Sequence, residues 1–314
     1  MAFARELWRF SRPHTVVGTS LSLVALWAMA RGLFRPPVAG AFADAHDGVA
    51  AGLSPTQLLL TWLACLAANV YIVGLNQLTD VGLDRINKPY LPLASGAWSR
   101  RTGQLVTWGC FGVSLLLTTY VGSRWLGWTV ALSLSLGTAY SLPPLRLKRF
   151  NFWAAFCIIA VRSLLVNVLL FAHVADWRAP LLDLPPLVWL LVFVTFAFSV
   201  GIAWFKDLPD EAGDATYGVE TLTVKLGKRQ VLRQGTAVLA VALAVAILGS
   251  WLSGRFGGAG VFLAVTHALI LAIFLARARR VDLGDADSIR RFYLSLWALF
   301  FVEYVVFAAA AWLA

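Results

Sequence analysis

Charge is scarce in this chain, and acidic charge is the scarcer sign: 13% of its 314 residues are charged, with 16 Asp and Glu against 26 Lys and Arg. A soluble domain carries about 25% charged residues, so a fully water-facing surface is excluded. Cysteine numbers only three. Cys65, Cys110 and Cys157 fall inside separate apolar runs, which leaves neither a disulfide framework nor a metal-ligand spacing. Packing as small apolar residues is the role left to them. Also missing are the alternating segments of about ten residues that build a membrane β-barrel.

What replaces charge is apolar length. Sixty per cent of residues are hydrophobic and the mean hydropathy is +0.75. Nine apolar runs, at 14–30, 57–76, 102–122, 125–142, 151–174, 186–205, 231–252, 259–276 and 292–313, approach or reach the length that crosses a hydrocarbon core of about 30 Å. The expectation is an all-α polytopic membrane protein in which residues 1–314 form one transmembrane domain. Of the 26 Lys and Arg, 20 lie before the first run, in even-numbered loops or, for Arg233, at the loop-side start of the seventh run, and five (Arg31, Arg35, Arg124, Arg178, Arg255) lie in odd-numbered loops. By the positive-inside rule the N-terminus is cytoplasmic and the C-terminus outside. The net charge of +10 then reflects orientation and anionic headgroups, and calls for no nucleic-acid partner. Ala28-Met29-Ala30 after the first run resembles a small-residue cleavage site, but a retained helix is expected.

Acids are concentrated where runs end. Asn76, Asp80 and Asp84 follow at i, i+4 and i+8, one face of a continuing helix that Pro89 stops near Asn87. Asp207, Asp210 and Asp214 follow at i, i+3 and i+7 after Lys206, with Pro209 ending or kinking the helix. Both segments end an outside-to-inside run, four runs apart. That offset suggests two parallel four-helix pseudo-repeats plus a ninth helix around a central cavity, with both acid combs at its cytoplasmic mouth. Ordinary solvated loop residues are the plain alternative. Five facing carboxylates repel one another and need cations; two Mg²⁺ ions, sharing oxygen ligands with a diphosphate, would supply them. Tyr140-Ser141-Leu142-Pro143-Pro144-Leu145-Arg146-Leu147-Lys148 closes the fourth run, either as a positive-inside anchor or as a phosphate contact.

NQLTDVGLDRINKP and KDLPDEAGD resemble the two aspartate motifs of the intramembrane aromatic prenyltransferases, the UbiA superfamily. FSRPHTVVGT, NKPYLPLASG, YSLPPLRLKR, AVRSLLVN and KDLPDEAGDATYGVETLTVKLG are similar to its homogentisate branch, the phytyl-, geranylgeranyl- and solanesyl-transferring enzymes of tocopherol and plastoquinone synthesis. The chain departs from that branch at Ala97-Trp98 and at Val168-Leu169. The resemblance implies Mg²⁺–diphosphate binding by Asn76, Asp80 and Asp84 on one face and by Asp207, Asp210 and Asp214 on the other. It implies diphosphate contacts from Lys88, Arg146, Lys148 and Lys206, and a pocket position for Tyr140. The reaction implied is Mg²⁺-dependent transfer of a prenyl group from an isoprenoid diphosphate to an aromatic acceptor, homogentisate foremost, with decarboxylation. The same frame admits 4-hydroxybenzoate, a naphthoate, a chlorophyllide or a glycerol phosphate as acceptor, or a terpene cyclase without one. A cation-coupled transporter would place its acids nearer the midplane.

Two charges stand apart. Arg162 lies inside the fifth run and Glu303 inside the ninth, at depths that agree to about one helical turn. The expectation is that they pair across the bundle. The rivals are that Arg162 binds the acceptor's carboxylate, or is satisfied by backbone carbonyls or water. His14 and His173 sit at run ends, where helix-boundary roles are expected.

Overall fold

The structure, a computed structural model, describes residues 2–35, 52–211, 216, 221–252, 254 and 256–314. Its helices are α1 (Ala2–Phe10), α2 (Pro13–Leu33), α3 (Pro55–Thr79), α4 (Val81–Asn87), α5 (Pro92–Ser95), α6 (Arg100–Val121) and α7 (Arg124–Ser141). They continue as α8 (Asn151–Val174), α9 (Pro186–Phe205), α10 (Leu222–Leu226), α11 (Lys228–Leu252), α12 (Ala259–Arg279) and α13 (Ala286–Leu313). No strand occurs among the described residues.

Local chemistry sets the boundaries. Ser54 and Gln57 cap α3 reciprocally with Pro55 in its first turn, satisfying donors that a new helix leaves open. Ser99 and Ser123 cap α6 and α7, and Gly122 closes α6 at φ 69°, a conformation that costs a side chain dearly. Among the described residues, eight helices are long and apolar enough to cross a membrane. The ninth expected span, α7, has the length at 18 residues. Arg124, two Trp and five Ser and Thr dilute its hydropathy, so composition alone does not mark it.

An inner ring runs α2, α3, α7, α8, α9, α13 and back to α2, with α6 packed outside α3 and α11 and α12 outside α9 and α13. Leu23, Leu26 and Met29 of α2 are fully buried, so the first helix is a member of the ring. The central part of α8, Ala160–Leu170, is π-helical. Ser163 Oγ donates to Ile159 O at 2.6 Å, and Asn167 Nδ2 donates to the carbonyls of Arg162 and Ser163 at 3.2 and 3.0 Å. These side chains compete with the backbone ladder and widen it. Asn167 is also held by Thr195 of α9 at 2.8 Å and by the Tyr304 hydroxyl of α13 at 3.0 Å. That network ties three helices at one depth.

The expected pairing of Arg162 with Glu303 does not occur. Glu303 Oε2 lies 3.2 Å from Nε2 of His267 on α12, both side chains 0% exposed, a charge contact without an aligned hydrogen bond. Arg162 stacks on the Trp297 ring at 4.2 Å instead. Helix starts explain the difference: α13 begins at Ala286 and α8 at Asn151, so Glu303 lies about 9 Å deeper along its helix than Arg162 does along its own. Removing one member of a buried pair typically costs roughly 3–5 kcal/mol, because the other is left uncompensated. Glu303→Leu and His267→Leu should each lower the thermal midpoint in detergent, and the double variant should recover a large part of the loss. Strictly additive losses, measured by thermal unfolding, would show that the two side chains are uncoupled.

Candidate active site at the mouth of the helix ring

Asp80 does not continue the helix. Its φ and ψ of −119° and 19° end α3 at Thr79 and start α4, with the Thr79 hydroxyl bonded back to Leu75 O and Asn76 O. The single helical face expected for Asn76, Asp80 and Asp84 is therefore broken at its middle member. Asp84 N still bonds Asp80 O at 2.8 Å, so the new turn swings Asp84 inward until it is 5% exposed. The stop at Asn87 is as the sequence predicts, with Lys88 beyond it out of helical conformation at φ −141° and ψ 58°. The second comb is also off its helix. α9 ends at Phe205, and Asp207 and Asp210 sit in successive turns around Pro209, joined by Asp210 N to Asp207 O at 3.2 Å. Asp214, assigned from sequence to the same face, lies outside the described residues.

The two segments meet. Lys88, from the first, bonds the Asp210 carboxylate of the second. Asp80 is held by Lys148 Nζ at 2.7 Å and Arg146 Nη2 at 3.5 Å, and Lys148 also donates to Thr79 Oγ1 at 2.7 Å. Lys206 Nζ lies 2.8 Å from Asp207 Oδ1. Asn76 receives Arg12 Nη2 at 3.2 Å and donates to Asp80 Oδ2 at 3.2 Å. Tyr140, half-buried at the end of α7, lies within electrostatic range of Lys206 and Arg162. A cleft of about 300 Å³ opens beside these groups on Thr79, Gly82, Arg100, Pro143 and Arg146. Arg146 and Lys148 thus face the acids as well as following a span end.

Arg12 is the residue that sequence reasoning missed. It lies between the short α1 and α2 and counts among the N-terminal cations, yet it reaches the first comb. Its signal was the FSRPHTVVGT word, read as a mark of the family branch and not for the arginine within it. Arg12 and Arg146 are also two of the three non-glycine residues with positive φ among those described, at 53° and 37°. Such backbone strain persists only where the surroundings hold it, and it collects at functional sites.

Neutralisation within the mouth is incomplete. Asp84 Oδ2, Arg12 Nε and Arg146 Nε are buried with no hydrogen-bond partner among the described residues. Burial pushes the Asp84 carboxyl above its usual range, against the pull of Arg12 and Lys88. Burial likewise lowers Lys148, with Asp80 opposing it. At Lys206 burial is outweighed by the adjoining Asp207 carboxylate, which holds the ammonium above its usual range. Unmatched donors and an unmatched acceptor around the first comb fit a ligand carrying both an anion and a cation. The oxygen-rich set suits a hard divalent ion. Among the described residues no three acids converge closely enough to hold a metal by themselves, so part of its shell would come from the other ligand.

The expected boundary roles of the histidines are partly seen. His173 bonds Thr61 at 2.9 Å and Ser123, the cap of α7, at 2.8 Å, while His14 packs edge-on against Trp297.

Residues 22–302 match the UbiA prenyltransferase family. The chain is 44% identical to homogentisate phytyltransferase of Synechocystis sp., over 100% of this chain and 97% of that one. It is 40% identical to chloroplastic homogentisate phytyltransferase 1 of Arabidopsis thaliana, over 95% and 73%. Among solved structures, a digeranylgeranylglyceryl phosphate synthase superposes with a TM-score of 0.62 at 18% identity, covering 98% of this chain and 99% of that one. A UbiA homolog from Archaeoglobus fulgidus bound to GPP and Mg²⁺ gives 0.61 at 16%, covering 97% and 99%; both show the same fold. An all-helical membrane bundle whose acids and cations gather at one mouth, matched over nearly its whole length, is an enzyme of the UbiA prenyltransferase family, and the chain belongs to that family.

Proposed function

We propose that this enzyme transfers a prenyl group from an isoprenoid diphosphate to homogentisate, with loss of the acceptor's carboxylate, giving a prenylated quinol. The observation that carries the reading is the set of unmatched buried atoms around the first comb, Asp84 Oδ2, Arg12 Nε and Arg146 Nε, with Arg12 bonded to Asn76 and Arg146 to Asp80. A metal diphosphate would satisfy all three at once. The names and identities of the curated relatives support homogentisate as acceptor.

Asn76, Asp80, Asp84, Asp207 and Asp210, with Asp214, are assigned as the ligands of two Mg²⁺ ions. When bound, Mg²⁺ would neutralise the acids and stabilise the pyrophosphate as its charge develops. The cations have a second task. Lys88, Arg146, Lys148 and Lys206 each face a carboxylate, and in the loaded site they exchange it for diphosphate oxygens. The allylic C–O bond then breaks with both electrons leaving on pyrophosphate. The electron-rich ring attacks the allylic carbon and gives up its ring proton. Carbon dioxide leaves the acetate side chain, and the methylene carbon left behind takes up one proton from solvent to become a methyl group. The rings of Tyr140 and Tyr293 help to keep water away from the allylic cation.

The topology belongs to the same reading: nine spans with α7 counted, two four-helix pseudo-repeats plus α13, a cytoplasmic N-terminus and site, and an external C-terminus. In favour of α7, its 18 residues reach about 27 Å, and it lies in the inner ring between α3 and α8.

Incubation of purified enzyme with labelled prenyl diphosphates and homogentisate should yield a product whose mass equals both substrates less pyrophosphate and carbon dioxide. A product retaining the carboxylate, or none with any diphosphate, would refute the assignment. Chelation should abolish turnover and Mg²⁺ restore it. Asp80→Ala and Asp210→Ala should each lose more than about tenfold in rate, over ~1.4 kcal/mol in barrier, while still folding. Cysteines introduced at Gly96 and Lys225 should both be modified by an impermeant reagent from the cytoplasmic face. Labelling of the two from opposite faces would separate the halves of the site.

A further inference from the structure

Arg162 has no ion pair with a carboxylate among the described residues, and its Nη1 is buried without a hydrogen-bond partner. Glu303, its expected partner, is taken by His267. The residue is 11 positions into α8, and its guanidinium crosses the ring to Trp297 of α13. His14 packs on that same Trp297 ring, with centroids 4.9 Å apart. Tyr140 and Tyr293 are within electrostatic range of the guanidinium, and all three are half-buried. A cation, two phenols and an imidazole thus share a partly open interior.

This cluster adjoins the acids. His14 is two residues from Arg12, Arg12 bonds Asn76, and Asn76 bonds Asp80. Arg162 is also held in place from behind. The π-helical widening at its own carbonyl is fixed by Asn167, which Thr195 and Tyr304 clamp from two other helices. A guanidinium stacked on an indole keeps its edge donors free for an anion in the ring plane, the arrangement that matches a carboxylate.

We propose that Arg162, backed by Trp297, binds the carboxylate of the aromatic acceptor and thereby separates substrate from product. The proposal rests on the acceptor assignment above. Diphosphate is held at the mouth by four other cations, and a tail of hydrocarbon offers Arg162 nothing. The acceptor's carboxylate is the one remaining anion in the reaction. It is also the group the reaction removes. The prenylated quinol has no charge with which to hold Arg162, so the contact that admits the acceptor is absent from the product, and release follows without any movement of the ring. Water then solvates the guanidinium until the next acceptor arrives.

The test compares homogentisate with methylhydroquinone, which keeps the ring and lacks the carboxylate, at saturating prenyl diphosphate and Mg²⁺. Wild-type enzyme should favour homogentisate in kcat/KM by at least about 30-fold. Arg162→Met should bring the two acceptors within about threefold of each other, through KM for homogentisate, with KM for prenyl diphosphate moved by less than about twofold. Arg162→Lys should fall between. Calorimetric binding of homogentisate to the purified protein should be lost in Arg162→Met, and thermal unfolding checks that the variant is folded. Should it not fold, Trp297→Leu, which keeps the guanidinium and removes its backing, should raise KM for homogentisate by about tenfold. Equal loss for both acceptors in a folded variant, or an unchanged KM for homogentisate, would overturn the role of Arg162. Wild-type enzyme that prenylates neither acceptor, yet binds homogentisate through Arg162, would leave the pocket standing and remove the reaction instead.

Discussion

A charge placed among membrane helices must find an opposite charge, a hydrogen-bond partner or an aromatic face, because the surrounding hydrocarbon offers none. The architecture follows from how each charge meets that demand. Lys88, Arg146, Lys148 and Lys206 meet it with the acids of the mouth. Glu303 meets it with His267 between α13 of the inner ring and α12 outside it, and Arg162 with an indole. Breaking α3 at Asp80 is what brings the acids within reach of their cations.

Most of the fold was legible because spanning helices must be long and apolar, and those runs stand out against any composition. Eight of the nine expected spans satisfy both conditions in the structure. The ninth was drawn from the same apolar reading, but Trp, Ser and Thr make α7 a helix whose place is settled by neighbours more than by hydropathy. Helix ends were legible wherever a side chain or ring dictates the backbone. Pro89 and the serine caps are of this kind. Asp80 is not, since nothing local forbids helix there; its break depends on Lys148 and Arg146, which are more than sixty residues away in the chain.

At the mouth, spacing at the run ends singled out the acids, and the family resemblance named the four cations that stand against the described ones. Sequence failed on partners. The pairing of Arg162 with Glu303 compared depths from uncertain helix starts and ignored the direction in which each side chain leaves its helix. His267, an uncharged letter in an apolar run, carried no signal as a partner. Arg12 was hidden by its position before the first span, where a cation has an ordinary reason to be. The π-helical stretch around Arg162 was illegible for a similar reason: it arises when Ser163 and Asn167 turn back onto the backbone, and Asn167 does so with help from α9 and α13.

The balance of charge at the mouth bears on how a dianionic head could be captured there without a large desolvation cost. Each lysine is already stripped of much of its water and held against a carboxylate, so its transfer to a diphosphate oxygen exchanges one anion for another. The carboxylates released in that exchange are the groups a divalent ion would take. Loading in this scheme is a trade of partners within a fixed set of charges. The strained arginines fit the same scheme. Arg12 and Arg146 hold positive-φ backbone while each leaves a buried Nε unmatched, and both reach the first comb, Arg12 through Asn76 and Arg146 through Asp80. Strain and unpaired donors on the same two residues fit the anionic ligand of the proposed reaction.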